Sequence, residues 1–184
     1  MIKRIALIAI MISSFGFLTG CFFSTAALNN TGHTWTETEL HQYWDGFNEI
    51  SLLNDDLIKK GYKYASEIDD IILLDKAPSP EETMSKGWGN CSALTRYYMD
   101  FIKYKKTKDI KIATTATHYY LRGNVLKNQF HHILIINTAD KNETPVILMQ
   151  SNFEIKHPES VQYCLDYWYN EGYHYQEIRD TFEF

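Results

Sequence analysis

"KGWGNCSALTRYYMDF", residues 86–101, sets a cysteine where a glycine-rich turn gives way to helical spacing. Asn90 is a strong N-cap type, and Leu94, Tyr97 or Tyr98, Phe101 and Ile102 then recur at threes and fours. A helix beginning at Cys91 is therefore expected, with Lys103, Lys105 and Lys106 toward the end that favours positive charge. A thiol in the first turn meets unpaired backbone N–H groups, which favour a thiolate and can also hold an oxyanion. Gly87 and Gly89 leave room for a substrate backbone to approach. The local pattern suits a nucleophile.

Outward from that turn, "APSPEETMSKGWGN" (77–90) reads as a connecting loop, because two prolines and two glycines interrupt regular structure. Before it, residues 36–64 have helical spacing, with Thr36 or Thr38 as cap and Leu40, Tyr43, Trp44 and Phe47 on one side. A second helix is expected over 65–76, "ASEIDDIILLDK". After the cysteine helix come short β-rich runs: 110–116, 118–124, 130–138 and 144–153, the last two joined by "ADKNE" at hairpin length. From Pro158 a helix followed by irregular chain is expected. Helices first and an antiparallel sheet after them give an α+β fold.

A nucleophilic cysteine needs a base. Of seven histidines, only His131 and His132 lie adjacent in an apolar strand, "FHHILIINT". Side chains alternate along a strand, so one ring faces each side and either can be the base. The next strand ends in Gln150, Ser151 and Asn152, where Gln150 and Asn152 share a face and can orient an imidazole. Two other readings compete. Cys91 and Cys164 can pair in an oxidising compartment. Cys91, His118 and one of His131 or His132 are potential zinc ligands. The short ligand pairs that zinc favours are missing, however, so neither metal nor cofactor is expected. The aromatic run Tyr163, Tyr167, Trp168, Tyr169, Tyr173, Tyr175 suits a carbohydrate platform, and packing of a small sheet accounts for it as well.

"GNCSALTRYYMDFIK", "HHILIIN" and "VILMQSNF" in that order resemble the papain-like superfamily, and within it the bacterial transglutaminase-like cysteine proteinases. The resemblance spans roughly residues 86–153. It implies N-terminal helices packed on an antiparallel sheet, Cys91 as nucleophile, His132 (or His131) as general base and Asn152 as the orienting residue. The usual aspartate of the third element is absent, and Ser92 and Ala93 stand where an acidic pair often follows the cysteine. The implied chemistry is amide hydrolysis or acyl transfer through a thioester, on a peptide, protein or peptidoglycan substrate. "NCSAL" also resembles the helix start of NlpC/P60 peptidoglycan endopeptidases, without their Gly-Asp-Leu or arginine-serine elements. A papain-like module that binds without catalysis is the remaining alternative.

The N-terminus concerns location. Lys3 and Arg4 precede an apolar run too short for a stable span, and the run ends in "LTGC", Leu18 to Cys21. That resembles a lipoprotein signal, implying cleavage before Cys21, diacylglycerol attachment there and a membrane partner reached through the lipid. Residues 1–20 are the expected signal, 21–35 a tether and 36–184 the domain. Phe22 after the cysteine favours an outer-membrane anchor facing the periplasm. Cleavage takes 20 of 184 residues and leaves 164, enough for one domain with a core. The 18 basic residues become 16 against 23 acidic, a net −7, which argues against nucleic acid.

Overall fold

Thr36 opens the first helix. Its hydroxyl accepts from the Glu39 N–H at 3.3 Å, and the Glu39 carboxylate accepts from the Thr36 N–H at 2.8 Å. This reciprocal pair satisfies two backbone donors that a helix start otherwise leaves bare. The computed structural model describes residues 32–64, 77–123, 130–138 and 161–183, and the backbone of 146–149 and 154–156. Helix α1 spans Glu37–Asp45 and α2 spans Ile50–Lys59, so the single helical stretch expected over 36–64 is two helices, parted after Gly46. Trp35, assigned from sequence to the tether, is tied down: its N–H donates to Ser85 Oγ at 2.8 Å and its ring packs against the core.

The stretch 77–90 is not all loop. Ser79 caps a short helix, α3, Pro80–Lys86, again with a reciprocal pair, here with Glu82. Proline at the first helical position has its missing N–H where none is needed, so Pro80 starts this helix rather than breaking it. Gly87 ends α3 with φ 70°, a left-handed conformation that favours glycine. The chain then runs as β2, Trp88–Gly89, parallel to β1, Lys63–Tyr64, with Tyr64 opposite Gly89. The long helix α4, Cys91–Thr107, follows, as expected from the sequence.

Five strands form one antiparallel sheet in the order β6-β5-β4-β3-β7. They are β3 (Ala113–Arg122), β4 (Phe130–Thr138), β5 (Val146–Met149), β6 (Glu154–Lys156) and β7 (Tyr175–Glu183). Helix α5, Val161–Asn170, lies between β6 and β7 in sequence. The fold is α+β. Two expectations are corrected: 110–116 and 118–124 make one strand, β3, and the C-terminal chain expected to be irregular is β7, paired along β3. Ala116 and Tyr120 give β3 the alternating burial that a continuous strand needs, and Thr117 continues it between the two supposed runs.

Helices cover both sides of the sheet. On one side Ala116, Leu134 and Ile136 pack with Leu40 and Trp44 of α1, Leu53 and Leu57 of α2, and Leu94, Tyr97, Phe101 and Ile102 of α4. On the other, Leu121, Ile133 and Ile135 pack with Cys164, Leu165 and Trp168 of α5 and with Tyr173. The period of two along β4 sends alternate residues to the two cores. Two polar contacts run through the first core: Trp44 Nε1 donates to the Tyr97 hydroxyl at 2.9 Å, and the Tyr98 hydroxyl donates to Asn54 Oδ1 at 2.8 Å. The expected second helix (65–76), the signal, Cys21 and most of the tether, the 139–143 connector and Gln150 to Asn152 lie outside the described residues.

Candidate active site

Cys91 is the first residue of α4, and Asn90 caps that helix by accepting the Ala93 N–H at 3.0 Å. Ser92 Oγ donates to the same Asn90 oxygen at 2.9 Å and fixes its orientation. The Cys91 side chain is buried, 8% exposed, and burial pushes its thiol above the ordinary value. Hydrogen bonds to sulfur oppose this: the backbone N–H groups of His132, Ser92 and Cys91 itself, and the Tyr64 hydroxyl. Desolvation outweighs them. The helix tip was expected to favour a thiolate; burial works the other way here and favours the thiol.

The donor from His132 reveals the architecture. The N-terminus of α4 abuts the central strand β4 at the His132 main chain. His132 shares its face of β4 with Leu134 and Ile136, which pack on the helices of the first core. Its ring is 1% exposed, and its Nδ1 lies 2.8 Å from Nε2 of His118 on β3. Tyr120, directly opposite His132 in register, packs against the same ring, with centroids 5.3 Å apart. The imidazole is held from more than one side.

His131 goes the other way. Its ring packs on Trp168 at 4.4 Å and near Tyr173 at 5.8 Å, in the core under α5. Burial, with the neighbouring His132 adding to it, holds His131 down to about 3, so it stays neutral at ordinary pH. The structure thus seats the Cys91 sulfur against the His132 main chain and leaves the His131 ring across the sheet. No disulfide joins Cys91 and Cys164: both are free and buried, Cys164 within the core under α5 and Cys91 outside it, so the pairing weighed from sequence does not form. Asn152 and Cys21 lie outside the described residues. Among the described residues no group of three or more His, Cys, Asp or Glu side chains is placed to hold a metal.

Gly87 and Gly89 have duties other than making room for substrate. Gly87 supplies the left-handed cap of α3, and a Cβ on Gly89 would meet Ala93 and Leu94 at 3.3 Å. The first turn of α4 packs directly on the Gly89 backbone, which sets the height at which Cys91 emerges. Trp88 lines a cavity of about 400 Å³ with Gly32, His33, Thr34, Ser85 and Lys86, and Lys86 Nζ lies 5.5 Å from its ring centroid. The aromatic run divides: Trp168 and Tyr173 pack on His131, while Tyr163, Tyr167, Tyr169 and Tyr175 are exposed.

Tyr64 escaped sequence reasoning altogether, and His118 entered it only as a potential zinc ligand. Tyr64 reaches the sulfur because β1 pairs with β2 two residues before Cys91, and a two-residue strand leaves no periodic signal. His118 alternates with Tyr120 along β3, and its partner became visible only once the β3–β4 register was known.

No family model matches this chain, and no curated protein matches it. Among solved structures, Legionella pneumophila LapG aligns at 18% identity and a TM-score of 0.33, over 65% of this chain and 59% of LapG. The match spans about three fifths of that protein's length, and overlap at this level establishes neither fold nor function.

Proposed function

We propose that this chain is a cysteine-dependent acyl-transfer enzyme of papain-like, transglutaminase-like type, acting on an amide bond. The observation that carries the proposal is the seating of the Cys91 sulfur at a capped helix start against the main chain of His132. In the proposed reaction the Cys91 proton passes to the His132 imidazole as sulfur attacks the substrate carbonyl carbon. First-turn N–H groups of α4 receive the negative oxygen. The C–N bond then breaks, the amine leaves with the proton from His132, and a thioester remains. Water completes hydrolysis; an amine in its place completes transfer. Hydrolysis is favoured because water is abundant. Asn152 is proposed to support His132, lipid attachment is proposed at Cys21, and the domain is proposed to face outward from the membrane of a bacterial envelope.

A general base suits a thiol held above its ordinary pKa: the thiolate forms during attack instead of standing charged beforehand. The same burial favours a second reading, a papain-like envelope module that binds without reacting. Incubating the full chain in detergent with casein and, separately, with purified muropeptides separates them. Cleavage by wild type and none by Cys91→Ala supports the enzyme, and the cleaved material distinguishes a proteinase from a peptidoglycan endopeptidase. Turnover of neither, with unchanged binding to both, favours the module.

A further inference from the structure

We propose that His118 is a positioning residue for His132, holding the ring in the tautomer and orientation that general-base chemistry needs. The inference rests on the reading of Cys91 and His132 given above.

Three observations carry it. First, Nε2 of His118 and Nδ1 of His132 are 2.8 Å apart, a full hydrogen bond. Second, the rings lie 20° from parallel with centroids 5.0 Å apart. The centroid separation exceeds the N···N distance by 2.2 Å, one ring radius for each imidazole, so they meet edge to edge in nearly a common plane instead of stacking face to face. That is the geometry in which a ring N–H points into a ring lone pair. Third, the bond is dry: both residues are 1% exposed, and water does not compete for it.

Only one proton fits between two ring nitrogens. For His132 to take the Cys91 proton at Nε2, its own hydrogen must sit on Nδ1 and point at His118 Nε2. His118 then accepts and carries its hydrogen on Nδ1, a buried atom with no hydrogen-bond partner among the described residues. When Nε2 of His132 is protonated, the Nδ1–H···Nε2 bond becomes charge-assisted and strengthens, so His118 stabilises the imidazolium as well as aiming it. His118 stays neutral throughout, because burial, with the nearby His132 and Arg179, holds it down to about 3, so its Nε2 is free to act as the acceptor this arrangement requires. The remaining groups around the pair are fixed: Tyr120 packs on the His132 ring, the Arg179 guanidinium lies over Tyr120 at 4.8 Å, and Asp180 on β7 pairs with Lys103 of α4. With its other ring nitrogen committed to Cys91, His132 has none left for Asn152, so a neutral histidine takes the orienting role that was proposed for Asn152.

The test uses the full chain in detergent, with a peptidyl epoxide as probe and mass spectrometry to follow Cys91. His118→Phe, which keeps ring bulk but removes the acceptor, is expected to slow Cys91 labelling about 10- to 100-fold, as loss of a histidine's outer partner does. His118→Gln, which restores an acceptor, is expected to recover part of the rate. In the wild-type chain, 15N NMR is expected to show the His132 hydrogen on Nδ1. Labelling of His118→Phe at the wild-type rate, equal losses in Phe and Gln variants, or a His132 hydrogen found on Nε2 would each overturn the inference. The functional reading fails separately, through a His132→Gln variant that labels as fast as wild type.

Discussion

His131 and His132 are neighbours in the chain and occupy different cores: His132 bonds to His118 on the α4 side of the sheet, and His131 packs against Trp168 on the α5 side. A strand's alternation imposes this split, and its consequences differ for the two rings. His131→Phe keeps an aromatic body against Trp168 and is expected to leave Cys91 labelling within about twofold of wild type, while His132→Gln slows it by about 100-fold or more. Parallel labelling of the two variants, with melting curves to verify folding, checks the contrast.

Acid should loosen the fold through two buried rings, His118 and His131. His118 and His131 both drop from 6.5 to about 3 on folding, so the unfolded chain binds their protons first as pH falls. Stability is then expected to be fully present above about 6.5 and to decline between there and 3, by up to about 1.4 kcal/mol per pH unit for each histidine. Denaturant titrations from pH 7 to pH 4 measure the slope. His131→Phe is expected to reduce it by one proton's worth.

Cys91 should be a slow thiol toward simple reagents. Its burial raises the thiol, so iodoacetamide labelling of the native chain is expected to be minor at pH 6 and to climb toward pH 9 and above. Tyr64→Phe removes one of the hydrogen bonds to sulfur and is expected to move that climb to higher pH. Rate against pH for both proteins settles it.

The polar contacts in the larger core are expected to be costly to break singly. Tyr98→Phe leaves Asn54 Oδ1 without its donor at a site 4% exposed, a loss of about 1–3 kcal/mol. Ser79→Ala removes the cap of α3 at a cost of about 1 kcal/mol. Chemical denaturation of the two variants measures both.

How much of this was readable in advance depended on the range of the interaction. Asn90 with Cys91 at a helix start, and the bounds of β4 at Phe130 and Thr138, were legible because caps and alternation are local. The short helix α3 is not legible while Pro78 and Pro80 both count as breakers, although Pro80 sits at the helix's first position and initiates it. β7 was missed because its side chains are mostly exposed, so no apolar alternation marks it, and pairing with β3 alone makes it a strand. The orientation of His131 and His132 was legible as an alternative but not as a choice, since alternation says that the rings diverge and only tertiary packing says which meets α4. The burial of Cys91, which reverses the thiolate expected of a helix tip, depends on Tyr64 and β4 converging from distant parts of the chain.

The central claim is that Cys91 attacks as His132 takes its proton, and reaction of the native full chain with a peptidyl epoxide tests it most directly. Peptide mapping is expected to find a single adduct on Cys91, none on Cys164, and formation slowed about 100-fold or more in folded His132→Gln. An unmodified Cys91, or an adduct that forms equally fast without the imidazole, would contradict it.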